Sequence, residues 1–222
     1  MRPAVALWFA LLAGLAAPGP AAAQADDVRA FARALHVEGV PLAAVRQFDP
    51  DQALDPLLGM LADGAEESHW ANVVVILGML GDERALDPLL AVLETGDGPL
   101  SEARWRAAKS VPMALGYLVH FGGSQRALRY LVESLDPAVW PGRGIRWRSP
   151  LHADAAARDA HLTRMAVLGL ALTGDPAAAR VLRGADPRRV PGGKPFLDGA
   201  LAEHGRVAAR GLGCYYDPGR CD

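Results

Sequence analysis

The chain has 222 residues, with 23 basic and 25 acidic side chains, 51% apolar content and two cysteines. That length can bury a sizeable core without metal or disulfide staples, and the apolar share excludes a wholly disordered chain. Two cysteines exclude a disulfide-dense scaffold and a four-cysteine zinc site, and a net charge of −2 gives no support to nucleic-acid binding.

The chain opens with a short positive stretch, Met1-Arg2, and an apolar run from Val5 to Ala17 that Pro18-Gly19-Pro20 breaks. Two overlapping small-x-small sites follow in Ala21-Ala22-Ala23-Gln24-Ala25, so residues 1–25 read as an export signal cleaved after Ala23 or Ala25. The rival reading is a membrane anchor, but a span needs ~20 apolar residues and this run stops short. The longest later apolar stretch, Val73 to Leu80, is shorter still, so no membrane span is expected once the signal is removed. The expected location is periplasmic or extracellular.

Residues 26–48 predict two short helices, with Val28, Phe31 and Leu35 on one face and Pro41 in a first turn. An internal repeat begins beyond them. Ala-Leu-Asp-Pro-Leu-Leu occurs at 53–58 and again at 85–90. Leu54, Leu57, Leu58 and Leu61 map onto Leu86, Leu89, Leu90 and Leu93, then onto Leu128, Leu131, Val132 and Leu135, and more weakly onto Ala178, Val181, Leu182 and Ala185. The i, i+3, i+4, i+7 spacing puts each quartet on one helical face, and recurrence of such faces marks stacked helical units.

A longer helix is expected before three of these quartets, over 66–80, 102–121 and 154–172. Each ends in a glycine turn, at Gly81-Asp82, Gly122-Gly123-Ser124 and Gly174-Asp175, where glycine suits the helix end and Asp or Ser the next N-cap. Each also holds a glycine after a central leucine: Gly78, Gly116 and Gly169. A mid-helix glycine is costly unless a neighbouring helix comes close there, so these positions predict tight helix crossings. Pro112 should kink the second long helix. No strand alternation competes with the helical reading. A last helix is expected over 195–211, with Phe196, Leu197, Ala200, Leu201, Val207 and Ala208 facing inward.

The run from Val75 to Glu94, with its equivalents at 103–135 and 158–185 and a partial copy at 50–62, resembles the bacterial HEAT-like repeat first named for phycobilisome lyases. The resemblance covers roughly half of the chain without its signal. It implies an all-α fold, a right-handed α-solenoid of about four to five antiparallel helix pairs with the quartet helices on the concave side. It would extend over 26–212, with an irregular insertion at 136–150 and a tail at 213–222. Proteins with this repeat are scaffolds, adaptors and a few pigment lyases. The expectation is therefore a non-enzymatic, monomeric scaffold for a protein partner, with a bilin-lyase-type enzyme or accessory factor and a structural envelope protein as alternatives.

The insertion at 136–150 holds two of the five tryptophans and three arginines, with no acidic residue after Asp136. Insertions in repeat proteins map to loops, and Trp and Arg dominate interfaces. Trp140, Arg143, Arg146, Trp147 and Arg148 are thus candidate partner-binding residues. The other reading folds Trp140 and Trp147 back as plugs and leaves the arginines solvated. Arg126, Arg129, Arg180 and Arg183 form either a basic stripe or an ordinary solvated helical face.

Chemistry-bearing motifs are sparse. His152, Asp154 and His161 could gather near one another, but their spacing lacks a coordination pattern and Asp154 suits an N-cap, so no metal is expected. Gly122-Gly123-Ser124 could bind an anion at a helix start, yet the same residues are needed to turn between helices. No serine lies in a Gly-x-Ser-x-Gly turn, and no phosphate loop, dinucleotide fingerprint or calcium loop occurs, so neither catalytic residues nor cofactors are expected. Cys214 and Cys221 should pair in an oxidising compartment, closing a small loop worth about 2.5 kcal/mol as a clip. A reactive dithiol is the rival, with six intervening residues where two are usual.

Overall fold

The computed structural model describes residues 20–152 and 154–217, and they are mostly helical. In chain order come α1 (Pro20–Arg33), α2 (Leu42–Val45), α3 (Pro50–Ala62), α4 (Trp70–Leu80), α5 (Leu86–Glu94) and strand β1 (Asp97–Pro99). Then follow α6 (Glu102–Gly122), α7 (Gln125–Glu133), α8 (Val139–Gly142), β2 (Arg146–Arg148), α9 (Ala155–Leu172), α10 (Pro176–Gly184) and α11 (Gly193–Tyr216). Residues Gly64–His69 and Glu83–Ala85 are 3-10 turns, so the helix expected from 66 starts as 3-10 and becomes α-helical at Trp70.

Helix starts follow the capping chemistry. Asp49, Asp82, Ser101, Ser124, Asp154 and Asp175 each accept a backbone N–H two or three residues on. α4 and α6 end on Gly81 and Gly123 in the left-handed region, with φ of 80° and 68°.

Four helices neighbour one another in succession: α4 packs on α6, α6 on α9, and α9 on α11. Onto them lie the quartet helices, α3 on α4, α5 and α7 on α6, and α10 on α9 and α11. The glycines set how close the long helices come. A Cβ added to Gly78 would stand 2.5 Å from the Ala114 carbonyl oxygen, and one on Gly116 would stand 2.3 Å from that of Gly169. Gly169 in turn faces the Pro112 carbonyl, so all three central glycines lie at backbone-to-backbone crossings. α6 continues as one helix through Pro112.

Three expectations need correction. Leu35 lies beyond the end of α1 and is 88% exposed, because the chain leaves the helix at Arg33. Ala208 faces solvent, and His204 takes an inward position instead, its Nε2 lying 2.9 Å from the Asp175 carbonyl oxygen. The absence of strands also fails. β1 and β2 pair in parallel, Asp97 opposite Arg146 and Pro99 opposite Arg148, extended by Leu100 N–H donating to Arg148 O at 3.0 Å. Three residues are too few for a detectable alternation, and the partner strand is 49 positions away (Asp97 to Arg146).

Candidate functional site

The insertion turns most of its recognition chemistry inward. Trp140 and Trp147 are both fully buried. The Trp140 indole donates to Thr163 Oγ1 at 2.9 Å, and the Trp147 indole donates to the Leu93 carbonyl at 2.7 Å. That carbonyl belongs to the last turn of α5, where the helix has no acceptor use for it, so the indole caps a helix end while filling the space beside Trp105. Arg143 is also committed. Its guanidinium lies 3.5 Å over the Tyr130 ring and donates to Ser134 Oγ, Tyr130 O and Glu133. Of the five residues expected to grip a partner, Trp140, Trp147 and Arg143 are therefore structural. The physical reason is area: two indoles lose more by staying in water than a surface loop could recover. Arg146 and Arg148 alone remain exposed, on the face of β2 opposite Trp147.

The repeat supplies a different surface. Each quartet buries at least two of its members and leaves at least one half-exposed, among them Leu58, Leu90, Val132 and Val181. These residues line three successive clefts. The first, about 340 Å³, lies between α3 and α5 and is floored by Leu58, Leu61, Ala91 and Val92. The second, about 240 Å³, lies between α5 and α7 and includes Leu90, Arg126, Arg129 and Tyr130. A third, about 610 Å³, lies between α7 and α10 and includes Val132, Leu135, Val181 and Ala185. Arg129, Arg180 and Arg183 are exposed, whereas Arg126 donates to Asp87 at 2.6 Å. Tyr130 donates to Glu94 at 2.8 Å, and burial pushes its hydroxyl well above the ordinary range.

A separate cluster lies under the strand pair. His152 and His161 do come together, with ring centroids 4.9 Å apart, and both contact Trp105, which is fully buried. Asp154 does not join them, because its carboxylate accepts the Ala157 N–H at 2.8 Å. Among the described residues no group of three His, Cys, Asp or Glu side chains is placed to hold a metal ion. Ser149 Oγ lies 2.8 Å from His152 Nδ1 and accepts the Leu151 N–H at 3.0 Å. That is a turn with a satisfied hydroxyl, and among the described residues no acid is hydrogen-bonded to the imidazole. Arg158 and Asp159 are both buried and paired, and burial lifts the Asp159 carboxyl above its usual range despite the guanidinium.

His161 gives the cluster a pH signature. Burial first, then the charges of His152, Lys109 and Arg164, hold its imidazole down to about 4. An unfolded histidine titrates near 6.5, so between these values the unfolded chain binds the extra proton. Its contribution is thus full above about pH 6.5 and declines as pH falls toward about 4. Urea midpoints at pH 7, 5.5 and 4.5 should fall more steeply for the native chain than for His161→Phe. Equal slopes would show that the imidazole does not carry the effect.

The remaining expectations divide simply. The Cys214–Cys221 pair lies outside the described residues, since Cys221 does, and so does most of the export signal. α1 begins at Pro20, ahead of either expected cleavage point. No helix among the described residues is long and apolar enough to cross a membrane. Trp105, Ser149 and Arg158 were not legible as site residues, because their roles depend on segments brought together by the strand pair.

The fold and the surfaces on it therefore define a mostly helical protein with a row of apolar-floored clefts between successive quartet helices. Compared with family models, curated proteins and solved structures, the chain matches none of them.

Proposed function

We propose that this chain is an exported, monomeric HEAT-like scaffold that binds a protein partner non-covalently. In this reading α3, α5, α7 and α10 form the concave layer of a right-handed solenoid of four to five helix pairs, working in the periplasm or outside the cell. The observation that carries it is the row of three clefts, each lined by half-exposed apolar side chains of the quartet helices. Such a surface offers preformed area at low conformational cost, with the arginines of α7 and α10 at its rim. The insertion contributes stability and only the exposed Arg146 and Arg148 to any contact.

Photo-crosslinking residues placed at Leu90, Val132 and Val181 test the reading against the same probe at exposed Arg210. The cleft positions should give one common adduct from the native compartment, and Arg210 none. Leu90→Lys combined with Val132→Lys should cut partner recovery at least about tenfold, since a charge set into an apolar contact loses its hydration there. Equal adducts at all four positions, or full recovery with the double variant, would remove the basis for this surface.

A further inference from the structure

The cavity between β2 and the start of α9 differs from the three clefts. It holds about 490 Å³, within the range of sites for small molecules, and is walled by Pro141 and residues 144–149 together with His152, Asp154, Ala155 and Arg158. Three arginines line it. Arg146 and Arg148 lie two positions apart on one strand, with Trp147 buried between them, so they share a face. Neither side chain makes an ion pair or hydrogen bond among the described residues, whereas the side chains of Arg143, Arg158 and Arg189 are all paired. Two like charges held this close repel each other, a cost that a bound anion would relieve.

Arg158 supplies a fixed third cation. Its side chain is only 5% exposed, and it is locked by Asp159 Oδ1, at 2.8 Å from Nε and 2.7 Å from Nη2, and by the Trp147 carbonyl at 2.6 Å from Nη1. A guanidinium has five N–H groups and these bonds use three. Arg158 is matched by Asp159, while Asp154 at the cavity and Asp97 opposite Arg146 make no ion pair with Arg146 or Arg148 among the described residues, so the unpaired side chains of these two arginines are what an anion would meet. Pro141 and Ile145 make part of its wall apolar, while the Trp147 indole is turned to the other face of β2.

We propose that this cavity binds a small organic monocarboxylate, its carboxylate held by Arg146 and Arg148 and its apolar body against the Pro141–Ile145 wall. Paired guanidinium forks match the geometry of a carboxylate, and the concave, partly apolar surroundings strengthen the attraction over that on an open surface. The site does not depend on the cleft row, so it stands or falls separately from the scaffold reading.

Titration calorimetry of the full chain with acetate, hexanoate and benzoate, against benzyl alcohol and inorganic phosphate, decides the matter. The expected result is saturable 1:1 binding that is tighter for hexanoate or benzoate than for acetate, weakened by salt, and absent for benzyl alcohol. Arg146→Ala with Arg148→Ala should weaken binding at least about tenfold, and the double lysine variant should fall between, keeping charge but losing the fork. Circular dichroism confirms that each variant is folded, and the lysine variant serves if the alanine one is not. No binding by any carboxylate, affinity unchanged in the folded double variants, or phosphate binding tighter than benzoate would overturn the proposal.

Discussion

Gly116→Ala is expected to lower the stability of this protein by about 3 kcal/mol, despite placing a better helix former in the middle of a helix. The added methyl would stand 2.3 Å from the Gly169 carbonyl oxygen and 2.9 Å from its carbon, closer than real Cβ atoms approach anything. Neither contact is a side-chain end that can swing away. Relief therefore requires α6 and α9 to separate, which opens the packing of Leu115, Leu118 and Leu170 around the crossing. Gains in helix propensity of about 1 kcal/mol offset only part of this. For a chain of this size the loss corresponds to a melting temperature roughly 6–12 °C lower. Gly59→Ala in α3 is the matched control. Gly59 is exposed and has nothing near its missing Cβ, so that substitution should stabilise by up to about 1 kcal/mol. Calorimetric melting of both variants reads the contrast. A Gly116→Ala chain as stable as the native one would mean that α6 and α9 do not cross at their backbones.

Trp147→Ala should cost about 4 kcal/mol. The indole is fully buried against Trp105, and its removal both opens a large void and leaves the Leu93 carbonyl without its donor. Because β2 is only three residues long, its backbone pairing with β1 cannot hold the 136–152 segment down alone. Trp147→Phe separates the two effects: most of the area stays, and the loss should shrink to about 1–2 kcal/mol for the orphaned carbonyl. Urea unfolding gives the magnitudes, and limited proteolysis locates the change. Cleavage within 136–152 should rise strongly for the alanine variant and slightly for the phenylalanine one. An alanine variant of native stability would return Trp147 to the surface role that its sequence context suggests.

These two residues show opposite degrees of legibility. Gly116 announces its role, because a glycine at the same place in successive long helices has only one economical explanation, and periodicity is a local property of the chain. The same locality made the caps at Asp82, Ser124, Asp154 and Asp175 readable, along with the four apolar quartets. Trp147 was ambiguous. Its flanking arginines and its place in a non-repetitive stretch fit an exposed recognition loop as well as a plug. What decides between them is a carbonyl at the end of α5, 54 residues earlier in the chain, and a hydrophobic space beside Trp105.

By itself the sequence determined the mostly helical class, the helix boundaries to within a few residues and the positions of the close crossings, since each follows from neighbours within one or two turns. Only the tertiary structure decided that the Trp/Arg insertion folds inward, that β1 and β2 pair, and that half-exposed members of the quartets line clefts. It also gathered Arg146, Arg148 and Arg158 around one cavity. The physical reason is common to all of these. Burial of an indole, pairing of two short strands and clustering of like charges depend on surfaces that come together only when distant segments pack, and no local pattern records them.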